Sequence, residues 1–169
     1  MAAFLVLVLV TAQRVAELVY SSRNTRVLLS QGGYEVGRGQ YLLIILLHVA
    51  WLGCLWWFGW GQQVRWTFVF LYLVIQALRG WVLMALGARW TTRIIVMPEE
   101  ELVQTGPYRF FRHPNYMVVA LEILILPLAF GLWWVALAFT ILNGALLYWR
   151  IRIEDEALAH QRSPSITRT

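Results

Sequence analysis

The stretch of sequence that decides the fold is residues 41–86, which reads YLLIILLHVAWLGCLWWFGW, then GQQVR, then WTFVFLYLVIQALRGWVLMAL. Two apolar runs, residues 41–60 and 66–86, are separated only by the short segment 61–65. A helix needs about 20 consecutive apolar residues to cross the hydrocarbon core of a bilayer. The stretch therefore predicts two membrane-spanning helices joined by a tight turn.

The composition of the whole chain agrees with this prediction. Of its 169 residues, 60% are hydrophobic and 14% are charged, whereas soluble domains carry about 25% charged residues. Further apolar runs at residues 2–20, 116–132 and 133–149 bring the expected spans to five. We therefore predict an all-α integral membrane protein with about five transmembrane helices.

The apolar runs also indicate how the chain is organised. We expect one membrane domain over residues 1–169, with three N-terminal spans in residues 1–88. Residues 89–115 are the longest non-apolar interval and form a loop before the fourth helix. Residues 116–160 are predicted to form a helical hairpin that continues as a C-terminal helix, and residues 161–169 a tail.

The distribution of arginines predicts the orientation, because positively charged loops tend to face the cytoplasm. In a five-span protein loop one, loop three and the C-terminus share one side. We therefore expect the N-terminus outside, and the C-terminus and the loop before the fourth helix in the cytoplasm. The same bias explains the net charge of +5, so no nucleic-acid partner is predicted. The predicted cytoplasmic arginines are Arg23, Arg26, Arg38, Arg89, Arg93, Arg109, Arg112, Arg150, Arg152, Arg162 and Arg168, whereas the alternate loops hold only Arg65.

Ionisable residues inside the spans point to internal bridges or cavities, because a lone charge in lipid is costly. Arg14 and Glu17 lie three residues apart on one helical face and are expected to pair, either as a structural bridge or in a pocket. Arg79 needs a carboxylate from another helix, and Glu122 is the candidate. Glu122 could equally be an acid that faces a substrate. The polar residues 21–26 are expected to end the first helix.

The sequence predicts neither a disulfide nor a metal centre. It contains one cysteine, Cys54, within an apolar run. Its histidines, His48, His113 and His160, lack the closely spaced Cys, His or Asp that would complete a metal site. His48 is therefore interpreted as structural.

The densest group of polar and aromatic residues is GPYRFFRHPNY at residues 106–116, at the entrance to the predicted fourth span. Proline fixes the backbone and lacks an N–H group. Pro107 and Pro114 therefore predict a rigid, non-helical loop at the membrane face. Such a loop, bearing arginine, histidine and tyrosine, could enclose a polar cofactor.

Three pieces of the sequence together resemble a known family. Gly106-Pro107-Tyr108, then residues 112–116, then Arg150 with Glu154-Asp155 look like the isoprenylcysteine carboxyl methyltransferase family, and more widely like membrane phospholipid methyltransferases. The resemblance covers about the C-terminal half. It implies an enzyme that uses S-adenosylmethionine and releases S-adenosylhomocysteine, in a bacterial plasma membrane with its active site facing the cytoplasm.

The resemblance also implies roles for individual residues. Arg150 would bind the acceptor. Apart from the resemblance, Glu122 is the candidate base if the acceptor is a phenol or an enol, because a base assists the attack of such a group. Arg93 is a further cofactor candidate. The main cofactor contacts implied are Glu100, Glu101, Leu102, Val103, Tyr108, His113, Pro114, Asn115, Tyr116 and Glu154. This assignment requires His113 and Glu154 to lie close enough to touch one small molecule.

Several acceptors and functions stay open at this point. The expected partners are membrane lipids and a lipophilic small-molecule or lipidated substrate. An alkylpyrone or alkylresorcinol acceptor ranks before an isoprenylcysteine carboxylate. The alternatives are phospholipid N-methylation, a nicotinamide-dependent reductase of sterols or enones, and a non-catalytic membrane scaffold or small transporter.

Overall fold

The computed structural model describes residues 1–98 and 103–162, with side chains up to residue 159. Within these residues the chain is mostly helical, which agrees with an all-α membrane protein. The helices are α1 (Ala2–Ser30), α2 (Arg38–Gly59), α3 (Trp66–Leu86), α4 (Pro114–Ala129) and α5 (Trp133–Arg162), and the strands are β1 (Tyr34–Val36) and β2 (Ile94–Val96).

Four helices of the described chain, α1, α2, α3 and α5, are long and apolar enough to cross a membrane. The predicted fourth span is shorter than expected, because α4 has only 16 residues. At 1.5 Å per residue this corresponds to about 24 Å, less than the hydrocarbon core of about 30 Å. Pro127 lies in its last turn, and Gly131, with φ of 72°, forms the turn into α5.

The predicted end of the first helix at residues 21–26 is wrong, because α1 continues to Ser30. The polar side chains of this segment have partners in the loop after α3. Ser21 and Thr92 share a hydrogen bond of 2.8 Å between their hydroxyls, and the Asn24 amide donates to the Trp90 carbonyl at 2.8 Å. These contacts hold the loop against α1 and allow the helix to continue through polar residues.

A small antiparallel sheet, which the sequence analysis did not predict, joins the first and third loops. Glu35 of β1 lies opposite Ile95 of β2. The Glu35 carboxylate also pairs with Arg93 at 2.9 Å and with Arg38 at 3.3 Å. The sheet therefore fixes the loop before α4 on the end of the helical bundle.

The core lies among α1, α2, α4 and the start of α5. Leu7, Leu55 and Leu126 are fully buried there beside Trp51 and Phe130. Many large apolar side chains are instead exposed on the outer faces of the helices. A surface of this kind suits lipid rather than water.

Candidate functional site

A polar cavity of ≈ 690 Å³ lies between β2, the residues before α4 and the end of α5. Its volume falls within the roughly 300–1,000 Å³ typical of small-molecule and cofactor sites. We call it the polar cavity. It is lined by Leu28, Leu86, Arg89, Thr91, Arg93, Ile94, Ile95, Val96, Met97, Val103, Gln104, Tyr108, Arg112, His113, Asn115, Tyr116, Arg150, Glu154, Asp155, Leu158 and Ala159.

His113, Tyr116 and Glu154 meet in this cavity although they are far apart in sequence. Pro114 begins α4, which places His113 just before the helix and Tyr116 in its first turn. The rings of His113 and Tyr116 stack with centroids 5.5 Å apart. The Tyr116 hydroxyl donates a hydrogen bond to Glu154 of α5, and His113 Nδ1 lies 4.0 Å from the same carboxylate.

Two further residues shape the wall near the start of α4. Asn115 accepts a hydrogen bond of 3.2 Å from the indole of the buried Trp90. Burial, together with the nearby Glu154 carboxylate, raises the pKa of Tyr108 above its usual value of 10.0. The Tyr108 hydroxyl therefore keeps its proton at neutral pH and can donate a hydrogen bond.

The structure thus brings most of the predicted cofactor residues to one place, while their role in binding stays a prediction. Pro114 is buried at the start of α4 and does not line the cavity. Glu100, Glu101 and Leu102 lie outside the described residues. The predicted residues that line the polar cavity are Val103, Tyr108, His113, Asn115, Tyr116, Glu154 and Arg93.

A second cavity of ≈ 180 Å³ lies within the helical bundle. Most of its lining is apolar, and we call it the apolar cavity. Its lining residues are Arg14, Glu17, Leu18, Tyr41, Ile44, Ile45, His48, Val49, Trp51, Leu52, Arg79, Trp90, Thr92, Asn115, Tyr116, Val119, Asn143, Leu147 and Arg150.

The two cavities share a wall formed by Asn115, Tyr116 and Arg150. Arg150 is only 5% exposed. Its Nε donates to the Tyr116 hydroxyl at 2.9 Å, and its Nη2 donates to the Thr92 carbonyl at 2.8 Å. Since Tyr116 in turn donates to Glu154, a continuous chain of hydrogen bonds runs along the wall between the cavities.

The charged residues of the spans form one buried cluster. The predicted pair Arg14–Glu17 is confirmed at 2.8 Å. The predicted partnership of Arg79 with Glu122 is also confirmed. Glu122 accepts further contacts of 2.8 Å from Arg14 and 2.7 Å from Gln76.

This placement bears on the prediction that Glu122 is a catalytic base. Glu122 is 1% exposed, and it lines neither the polar nor the apolar cavity. Its two oxygens are bonded to Arg79, Arg14 and Gln76. The geometry therefore favours the structural alternative, in which Glu122 neutralises buried arginines.

Sequence reasoning missed three contributors to these cavities. His48, interpreted as structural, bonds through Nδ1 to the Ile44 carbonyl at 2.8 Å and also lines the apolar cavity. Thr92 supplies the carbonyl that holds Arg150. Asn143 lines the apolar cavity from α5, and its place seven residues before Arg150 could have revealed a shared helical face.

No group of three or more His, Cys, Asp or Glu side chains that could hold a metal ion occurs among the described residues. The polar cavity offers instead carboxylates, arginines and aromatic rings. These groups suit an organic cofactor with both charges and a flat ring.

Comparisons with known proteins bear on the site. A model of the isoprenylcysteine carboxyl methyltransferase (ICMT) family matches residues 68–160, which include α4, nearly all residues around the polar cavity and about half of those around the apolar cavity. The uncharacterized protein YpbQ of Bacillus subtilis is 36% identical over 168 residues, covering 92% of this chain and 95% of its own. An uncharacterized protein of Haemophilus influenzae is 24% identical over 157 residues, covering 89% of this chain and 91% of its own. No solved structure gives a significant match.

Proposed function

Because the chain belongs to the isoprenylcysteine carboxyl methyltransferase family, whose members are membrane methyltransferases for lipophilic substrates, we propose that it transfers a methyl group from S-adenosylmethionine to a lipophilic acceptor. One observation carries the proposal. A polar cavity and an apolar cavity share a wall of Asn115, Tyr116 and Arg150. A water-soluble methyl donor and a membrane-soluble acceptor could meet across this wall.

The residues of the polar cavity fit the methyl donor. The Glu154 carboxylate can bind its ammonium group, and Arg112, whose side chain is 78% exposed, can bind its carboxylate. His113 Nε2 is buried and makes no hydrogen bond with the described residues, although the Asp155 carboxylate lies 3.6 Å away, so a ligand that enters between them could bond to this nitrogen. The stacked rings of His113 and Tyr116 offer an aromatic surface to a cation or to adenine.

When bound, S-adenosylmethionine supplies an electrophilic methyl group and leaves as S-adenosylhomocysteine. The acceptor oxygen forms the new C–O bond as the C–S bond breaks, and the bonding electrons go to sulfur. No covalent intermediate with the protein is needed. The chain itself must align the two reactants and exclude water.

Arg150 is suited to hold the acceptor oxygen. Its bonds to Tyr116 and Thr92 fix the guanidinium at the shared wall. A carboxylate, or an enol conjugated with a carbonyl, ionises readily and can pair with this cation. Acceptors of these types therefore need no base. Of the two, we rank an alkylpyrone first as the proposed acceptor and an isoprenylcysteine carboxylate second. A phenolic alkylresorcinol would have to release its proton to water before its oxygen could pair with Arg150 in the same way.

The acceptor could reach the apolar cavity directly from the bilayer. Leu18 of α1 and Val49 of α2 line the cavity, yet they are 45% and 63% exposed. They therefore lie where the cavity meets the outer surface of the bundle, between α1 and α2. A lipid could place its head group inside and leave its tail in the membrane.

In this proposal the polar cavity faces the cytoplasm, because arginine-rich loops tend to lie on that side of a membrane. The methyl donor is made in the cytoplasm and would enter from there. We therefore propose a bacterial plasma-membrane enzyme with its donor site facing inward.

The test uses the purified full-length protein in detergent. Calorimetry should show binding of S-adenosylhomocysteine and no binding of reduced nicotinamide phosphate cofactor. Radiolabelled S-adenosylmethionine should then label an alkylpyrone, an alkylresorcinol or an isoprenylcysteine. Labelling of phosphatidylethanolamine alone would indicate phospholipid N-methylation. Binding of the nicotinamide cofactor would favour a reductase. If the protein binds neither compound, a scaffold or transporter would be favoured.

A further inference from the structure

Three residues that line the apolar cavity carry a buried N–H group with no hydrogen-bond partner among the described residues: Arg14 through Nε, Trp51 through Nε1 and Asn143 through Nδ2. Asn143 of α5 is 3% exposed, and its Nδ2 makes no hydrogen bond with the described residues. The Nε of Arg14, on α1, is buried and unbonded in the same sense. All three side chains line the cavity. Because buried polar groups are nearly always hydrogen-bonded in native proteins, the cavity is suited to a ligand that accepts hydrogen bonds.

Asn143 lies on the same face of its helix as the proposed acceptor-binding arginine. It precedes Arg150 by seven residues, or two helical turns, which corresponds to about 10 Å along the helix axis. The cavity therefore has two polar side chains, Arg150 and Asn143, on one face of α5, with Leu147 between them in sequence. A ligand with oxygen atoms at two ends of its head group would match this pattern.

The size of the cavity restricts the head group further. Its volume of ≈ 180 Å³ equals that of about six water molecules at about 30 Å³ each. One substituted six-membered ring fits this space, but a long alkyl chain does not. The chain would have to leave between Leu18 and Val49, which are both exposed to lipid.

We propose that Asn143 selects acceptors whose head ring carries a second oxygen, by donating a hydrogen bond to that oxygen. The inference rests on the proposed function and adds the residue that would distinguish among its acceptors, in favour of lipids whose single ring bears at least two oxygen atoms. One oxygen lies at Arg150 and receives the methyl group, while the other lies at Asn143. A prenyl chain in the same place would leave the Asn143 N–H group without a partner, which disfavours it.

The test compares two lipids that differ by one hydroxyl, meta-pentadecylphenol and pentadecylresorcinol. Their binding to the purified protein is measured with S-adenosylhomocysteine present, so turnover is not required. The wild type should bind the resorcinol about tenfold more tightly than the phenol, because a buried N–H group is left unpaired with the phenol. Asn143→Leu should reduce this ratio to about one, mainly by weakening resorcinol binding.

Thr140→Val is the matched control, because the Thr140 hydroxyl is also buried and unbonded on α5 but does not line the cavity. It should keep the wild-type ratio, and both variants should keep the affinity for S-adenosylhomocysteine. An unchanged ratio in Asn143→Leu, or failure of the wild type to bind the resorcinol, would overturn the inference. Absence of methyl transfer despite selective binding would instead count against the proposed function alone.

Discussion

Two buried arginines, Arg79 and Arg150, differ in what neutralises them. Arg79 is 3% exposed and pairs with Glu122, with Glu17 at 3.4 Å as a second carboxylate. Arg150 is 5% exposed, yet it donates to the neutral Tyr116 hydroxyl and the Thr92 carbonyl. Within the described chain it has no ion pair. The charge of Arg79 is therefore compensated inside the protein, whereas that of Arg150 can attract an anionic acceptor.

The difference shows that burial of a charge does not by itself identify a functional residue. Both arginines are buried, and the sequence pointed to both. What separates them is the chemistry of their partners and the surface they border. Arg79 belongs to a cluster with balanced charge, while Arg150 lies in the wall between two cavities.

The largest effect is expected from breaking the compensated pair. Arg79→Leu leaves the carboxylates of Glu17 and Glu122 with only Arg14 as a cationic partner. Removing one partner of a buried pair costs about 3–5 kcal/mol. Thermal unfolding in detergent should therefore show a large loss of stability.

The double variant Arg79→Leu/Glu122→Leu is the control for this prediction. It leaves one arginine and one carboxylate, Arg14 and Glu17, which already pair at 2.8 Å. It should recover at least half of the lost stability. Recovery of stability together with complete loss of methyl transfer would contradict the structural role of Glu122 and restore it as a catalytic base.

The next effect concerns the uncompensated arginine. Arg150→Ala removes the cation that orients the acceptor oxygen, so kcat/KM should fall by about 10²–10³-fold. The affinity for S-adenosylhomocysteine should change little. Arg152→Ala is the matched control, since Arg152 bonds only to the exposed Tyr148 at 2.7 Å among the described residues. Equal losses in the two variants would remove Arg150 from the acceptor site.

Most of the helical architecture could be predicted from apolar runs alone. The prediction for residues 66–86 coincides with α3 (Trp66–Leu86) because the run is bounded by a short turn and by Gly87. The extension of α1 and the two-stranded sheet could not be predicted in this way. Both depend on contacts between residues far apart in sequence, such as Asn24 with Trp90 and Glu35 with Arg93.

The candidate site was predictable to a similar degree. The sequence identified His113, Tyr116 and Glu154, because a rare motif and an acidic helix end together resembled one family. It did not identify the wall between the cavities. The contact of Arg150 with the Thr92 carbonyl involves a backbone atom, which no side-chain pattern reveals. The apolar cavity likewise arises only from how five helices pack.

The chain of hydrogen bonds from Arg150 through Tyr116 ends at Glu154. Unlike Glu122, which pairs with Arg79, this carboxylate is proposed to bind the methyl donor. Glu154→Gln keeps an oxygen for the Tyr116 hydroxyl but removes the negative charge proposed to bind the ammonium group. The dissociation constant of S-adenosylhomocysteine should rise by about ten- to a hundredfold. Glu156→Gln, at an exposed position on the same helix, should leave it unchanged. An unaltered affinity in Glu154→Gln would exclude Glu154 from the donor site.

The smallest effect is expected at the lipid-facing edge of the apolar cavity. Both Arg79 and Arg150 line this cavity, but neither lies at that edge in the proposal. Val49→Trp adds a large apolar side chain where α1 and α2 face the membrane. It should raise KM for a long-chain acceptor a few-fold and leave a short-chain analogue unaffected, because only the longer tail must pass between the helices. Leu46→Trp is the control, since Leu46 is 54% exposed on the same helix but does not line the cavity. If both chain lengths respond equally to Val49→Trp, the tail does not leave by this path.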